Sequence, residues 1–111
     1  MKVFNLGNMT ARGLVPGGKV KFVYSDNMTL AFWTFKAHSV LPEHAHPHEQ
    51  ILNVMEGEIE FTIEGKTGRV KAPASIIIPS DAMHSGKTLT DCTLIDVFHP
   101  KREDFAALDI D

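Results

Sequence analysis

His44-Ala45-His46-Pro47-His48-Glu49-Gln50 sets three imidazoles and an amide at alternate positions of one short stretch. On an extended chain successive side chains change face, so residues 44, 46, 48 and 50 point one way and Glu49 the other. Imidazoles two apart on one face can converge on a common point, which is what a metal ion asks of its ligands. Pro47 distorts the ideal alternation, so one of the four can turn away. A further donor arrives in Pro79-Ser80-Asp81-Ala82-Met83-His84, where a turn leads out of a later strand. His-x-His alone is a weak signal, and lone histidines such as His38 and His99 read as structural. Joined to Gln50, to Gly57 at the start of a fresh strand and to His84, it predicts a metal site.

Outward from this stretch the chain reads as short β segments cut by turn residues. Gly17-Gly18 precedes a segment over 19–24, and Ser25-Asp26-Asn27 separates it from 28–36, which carries Leu30, Phe32, Trp33 and Phe35. Beyond the histidines, 51–55 is apolar and Glu56-Gly57 punctuates the chain. Glu58-Ile59-Glu60-Phe61-Thr62-Ile63 alternates with period 2, the mark of a half-buried strand. Glu64-Gly65-Lys66 signals a hairpin into 68–71; 75–78 is an apolar run stopped by Pro79; 93–99 is the last strong strand, closed by Pro100. A helical period is confined to the last turn or two after Lys101. Evenly spaced short strands predict an all-β sandwich or barrel. The acidic end (Asp104, Asp109, Asp111) reads as a solvated tail.

The 111 residues suit one domain, with a barrel core over about 19–99, a short N-terminal arm and a C-terminal tail. A chain this size buries roughly two-thirds of its unfolded surface, so pairing into a homodimer is expected to help it. A net charge of −3 and scattered basic residues argue against nucleic acid or an anionic membrane as partner. The single cysteine, Cys92, permits no intrachain disulfide and reads as a small buried filler. The opening residues build no signal-peptide core, and no run reaches membrane-span length. Together these features predict a cytoplasmic protein.

Asp96 is conspicuous. Leu94, Asp96 and Phe98 share one strand face, Ile95 and Val97 the other. A carboxylate among such neighbours needs a partner if buried. It is either an exposed acid on an edge strand or an acid or base inside the barrel near the metal.

Here the sequence resembles the cupins, whose barrel is a double-stranded β-helix, or jelly roll. Their first motif runs His-x-His, three or four residues, Glu, six residues, Gly; this chain has His44, His46, Gln50 and Gly57, with Gln in the Glu position. Their second, Pro-x-Gly-x-x-His, appears as Pro79 to His84 with Asp81 for the middle Gly. His38 and Pro73 replace the leading glycines, which bears on turn geometry. Over roughly residues 28 to 105 the chain is similar to the small cupins of pectin and alginate breakdown, through His44 to Gln50, Glu56-Gly57-Glu58, Asp96-Val97-Phe98 and Pro100 to Phe105. Those enzymes convert 4,5-unsaturated uronates to the linear 5-keto-4-deoxyuronate.

The resemblance implies one divalent transition metal ion held by His44, His46, Gln50 and His84. It implies Asp96 and Arg102 in catalysis, Phe98 and Arg102 against a sugar-acid substrate, and a metal-dependent isomerase. His48 is expected behind the ligands rather than among them. Three imidazoles and an amide oxygen suit Zn, Ni, Fe or Mn. A neutral Gln leaves the site near +2 where Glu would lower it toward +1, favouring Lewis-acid work. An Fe- or Cu-dependent cupin dioxygenase and a non-catalytic sugar-binding cupin are the competing readings. For Arg102, the alternative is a surface pair with Glu103 or Asp104.

Overall fold

The alternation in Glu58–Ile63 recurs along most of the strands, and it sorts them into an inner and an outer face. The structure is a computed structural model that describes residues 1–108; Asp109 and Asp111 of the acidic tail lie outside the described residues. After a 3-10 turn at Leu6–Asn8 come β1 (Arg12–Val15), β2 (Gly18–Tyr24), β3 (Thr29–Phe35), β4 (Val40–His44) and β5 (Glu49–Glu56). They are followed by β6 (Glu58–Ile63), β7 (Lys66–Lys71), β8 (Ala74–Ile78), β9 (His84–Thr88), β10 (Cys92–His99) and a short helix α1 (Glu103–Leu108). One sheet runs β1-β2-β3-β10-β5-β8 and the other β4-β9-β6-β7, antiparallel throughout. This is the cupin fold.

Inner residues of the two sheets meet in the core. The larger sheet sends in Val20, Phe22, Trp33, Leu52, Val54 and Leu94; the smaller sends in Ile59 and Phe61. Burying such side chains contributes roughly 1.5–3 kcal/mol each, an upper estimate against a realistic unfolded chain. Cys92 is buried as expected, its thiol donating to the Glu58 carbonyl at 3.4 Å.

Four strands carry no legible apolar period: β1, β4, β7 and β9. The inward residues of β9 are His84, Gly86 and Thr88, so a polar ring, a bare backbone and a hydroxyl stand where apolar side chains would give the signal. Gly86 lets Phe61 and Leu41 close over it, with a hypothetical Cβ 3.1 Å from the Phe61 ring and 3.4 Å from Leu41. In β4, Pro42 and the polar Glu43 and His44 hide the strand.

The turn positions occupied by His38 and Asp81 keep the left-handed backbone that glycine favours, with φ of 67° and 65°. Asp81 is then placed to donate its N–H to the His46 carbonyl at 2.8 Å, and Ser80 Oγ donates to the Pro47 carbonyl at 2.5 Å. The two histidine segments are thereby tied together. Gly57, at φ 92°, has no such freedom of replacement, because a Cβ there would meet the Asp91 carbonyl oxygen, Thr90 Oγ1 and Cys92 Sγ.

Candidate metal centre and cavity

His44 ends β4, His84 begins β9, and the two are directly paired across the smaller sheet. His46 lies in the loop beyond β4, and Gln50 is the second residue of β5 in the larger sheet. The chain thus folds between the sheets so that His44, His46 and His84 offer ring nitrogens all within 4.8 Å of one another. That span is around twice a metal–nitrogen bond of roughly 2.1 Å. His46, Gln50 and His84 are buried, and His44 is exposed.

Each imidazole is fixed by its own neighbourhood. His44 Nδ1 lies 2.7 Å from the Pro42 carbonyl, His84 Nδ1 2.8 Å from that of Ala82, and His46 Nδ1 3.0 Å from that of His48. A carbonyl only accepts, so each Nδ1 carries the hydrogen and each Nε2 keeps a lone pair. This is the arrangement in which a backbone acceptor orients a metal-binding histidine. Burial, then the charge of Arg102, holds His46 down at about 4 from its ordinary 6.5. Burial likewise lowers His84. Both rings are therefore neutral near pH 7.

A neutral imidazole has one N–H to give, yet His46 faces two acceptors. Besides the His48 carbonyl, Gln50 Oε1 lies 3.1 Å from His46 Nε2. With Asp96 ionised, turning the amide does not help, because Gln50 Nε2 donates to Asp96 Oδ1 at 2.9 Å and a flip would set an oxygen against that oxygen. Two lone pairs so close repel unless a cation lies between them. The donor set fits a divalent ion on this ground, with Gln50 Oε1 beside the three imidazoles.

The register of β10 carries Asp96 to the same place: it lies opposite Leu52 in β5 and Ala31 in β3, with Phe98 opposite Gln50. Asp96 is buried, not an exposed edge acid. Desolvation pushes its carboxyl up to about 7, while hydrogen bonds from Gln50 and Trp33 and the charge of Arg102 pull the other way. A cavity of about 450 Å³ opens beside it, walled largely by apolar side chains including Trp33, Leu41, Phe61 and Phe98. His44, Gln50, His84, Ser85, Asp96 and Arg102 line it with polar groups.

Arg102 pairs with Asp104, as one expectation held, but not on the surface: it is only 7% exposed. Its guanidinium lies 3.8 Å from the Phe105 ring centre and 4.7 Å from that of Phe98. His48 stands outside the histidine cluster; its carbonyl receives His46 Nδ1, its ring is drawn to the Lys101 carbonyl, and its own Nδ1 is buried without a partner among the described residues. Trp33 and Phe105 were not among the expected site residues. Trp33 was findable, since alternation along β3 sets it inward with Ala31 and Phe35. The sequence offers Asp104 as a partner for Arg102, but nothing in it marks the arginine as buried.

Comparison with known proteins agrees with this geometry. A family model described as a cupin domain matches residues 31–98. The pectin degradation protein KdgF of Dickeya dadantii (strain 3937) is 32% identical over 84 residues, covering 74% of this chain and 76% of that protein. The structure of KdgF from Halomonas sp. superposes with a TM-score of 0.88 at 27% identity, over 95% of this chain and 98% of that one. An RmlC-like cupin from Shewanella frigidimarina NCIMB 400 gives the same score and identity over 95% and 96%. With its two antiparallel sheets and its histidine cluster between them, the chain belongs to the cupin family and resembles the pectin degradation protein KdgF.

Proposed function

We propose that this cupin is a metal-dependent isomerase that opens the ring of 4,5-unsaturated uronate monosaccharides, giving 5-keto-4-deoxyuronate. One observation carries the reading: a buried carboxyl poised near 7, Asp96, is hydrogen-bonded to Gln50, whose other amide atom faces the histidines. The likeness to KdgF, a pectin degradation protein, supports the substrate class. A divalent ion held by His44, His46, Gln50 and His84 would supply Lewis-acid stabilisation to oxygens that gain negative charge.

The chain's own residues supply the rest. A group titrating near 7 can both take and return a proton at that pH, the condition for general acid–base work. Asp96 takes the proton of the anomeric hydroxyl; the C1–ring-oxygen bond breaks, C1 becomes an aldehyde, and the ring oxygen leaves as an enolate at C5. The proton returned to C4 completes the keto acid, so no atom is gained or lost. Arg102 holds the carboxylate by charge-assisted hydrogen bonds. Phe98, between His46 and Arg102, presents an apolar face to the sugar carbons, its ring 5.7 Å from His46.

Metal-reconstituted protein incubated with a polysaccharide-lyase digest tests the reading. The 4,5-unsaturated chromophore should disappear, the loss should stop on chelation, and exclusion of oxygen should leave the rate unchanged. A requirement for oxygen would make the protein a dioxygenase. Saturable binding with an intact chromophore would make it a sugar-binding cupin.

A further inference from the structure

Arg102 is almost fully buried while its partner, Asp104, is not, with side-chain exposures of 8% and 56%. Asp104 spends both carboxylate oxygens on the arginine, accepting from Nε at 3.0 Å and from Nη2 at 2.7 Å. The guanidinium carbon lies over the Phe105 and Phe98 rings at 3.8 and 4.7 Å, and the Arg102 backbone N–H donates to Thr29 Oγ1 at 2.9 Å. Thr29 is itself fully buried. The arginine is thus held by its backbone and one edge, with its charge over two aromatic rings.

A guanidinium has two edges that can meet a carboxylate with paired N–H groups: the side edge, Nε with one Nη, and the end edge, Nη1 with Nη2. Asp104 occupies the side edge. The end edge keeps two hydrogens, one on Nη1 and one on Nη2, and Arg102 lines the cavity.

We propose that Asp104 is a positioning residue: by filling the side edge of Arg102 it presents the end edge to a substrate carboxylate. This rests on the uronate reading for the identity of that carboxylate. Asp104 touches no substrate and acts only through the arginine.

Asp104→Asn weakens the clamp and Asp104→Glu retains it. With the unsaturated uronate, Asp104→Asn should raise KM about tenfold with kcat within about twofold, and Asp104→Glu should recover part of the loss. In an Arg102→Lys background, where no side edge exists, the same substitution should change KM by less than about twofold. Nitrogen-15 spectra give a readout free of turnover: the Arg102 Nε–H should exchange slowly in the parent and in Asp104→Glu, and quickly in Asp104→Asn. Unchanged Nε–H exchange in Asp104→Asn overturns the clamp. A lowered KM would show that Asp104 competes with substrate for the arginine, and an equal KM rise in both backgrounds would show that it acts elsewhere; either overturns the proposal. If the parent does not turn over the uronate at all, the substrate reading fails while the Nε–H comparison still decides the clamp.

Discussion

The histidine cluster and the cavity wall are built in opposite ways. His44, His46 and His84 each rest on a carbonyl two residues away, so each ring is oriented by its own short segment. The wall is assembled at long range: Asp96 meets Gln50 across 46 positions of sequence, and Arg102 is anchored to Thr29 across 73. Gln50 joins the two, giving its nitrogen to the acid and its oxygen to the imidazoles. Ring orientation set locally survives modest distortion of the sheets, although the meeting of His44 with His84 still depends on the pairing of β4 with β9. A wall built through register has no such tolerance.

The largest expected effect lies in the cluster. His46→Ala and His84→Ala each remove an imidazole that no neighbour replaces, since His48 lies outside the cluster, and metal measured by elemental analysis should fall from near one ion per chain to none. Retention of full metal by both variants would break the assignment of the cluster. Next comes the wall. Asp96→Asn keeps an acceptor for Gln50 but not the base, so kcat should fall roughly 10²–10⁴-fold with metal content intact. Loss of metal as well would mean that the two regions are not separable.

Gln50→Glu tests the joint between them. It keeps an oxygen for the ion, adds a negative charge there, and sets a second carboxylate where an amide now donates to Asp96 at 2.9 Å. Equal or tighter metal binding with slower turnover is expected; turnover at the parent rate would remove any role for the neutral ligand.

The smallest effect is on the stability of the metal-free protein. Asp96 has its folded pKa raised from 3.8 to about 7, so folding takes up a proton in that window and stability falls as pH rises through it. His46, lowered from 6.5 to about 4, acts in the opposite sense: its contribution is present above 6.5 and lost as pH falls toward 4. Comparing Tm of the parent with Asp96→Asn cancels the histidines. The parent should lose ground steadily from pH 4 to about pH 7 and run parallel above it; a constant gap throughout would contradict the buried setting of Asp96.

The same contrast explains what the sequence disclosed. His44, His46, Gln50, Gly57 and His84 were legible because local geometry imposes spacing, and Leu94, Asp96 and Phe98 were rightly assigned to one face because a strand alternates. The neighbours of Asp96 and the burial of Arg102 were not legible, because they follow from which strands pair and in what register. β9 escaped notice for a related reason: a strand that lines a polar site has no apolar rhythm to display. His38 and Asp81 looked like departures from a glycine pattern, yet both adopt the left-handed conformation glycine would have taken.

The direct pairing of His44 with His84 has a consequence for assembly. In an antiparallel ladder a slip of one residue turns every side chain of a strand to the opposite face. β4 and β9 carry few apolar residues to forbid such a slip, but a slipped pairing would send one imidazole outward and destroy the site. An ion that binds only the correct pairing stabilises it by RT ln(1 + [M]/Kd) and leaves the slipped forms behind. With an ion bound there, proofreading of the ladder in these two strands would pass from hydrophobic patterning to coordination chemistry.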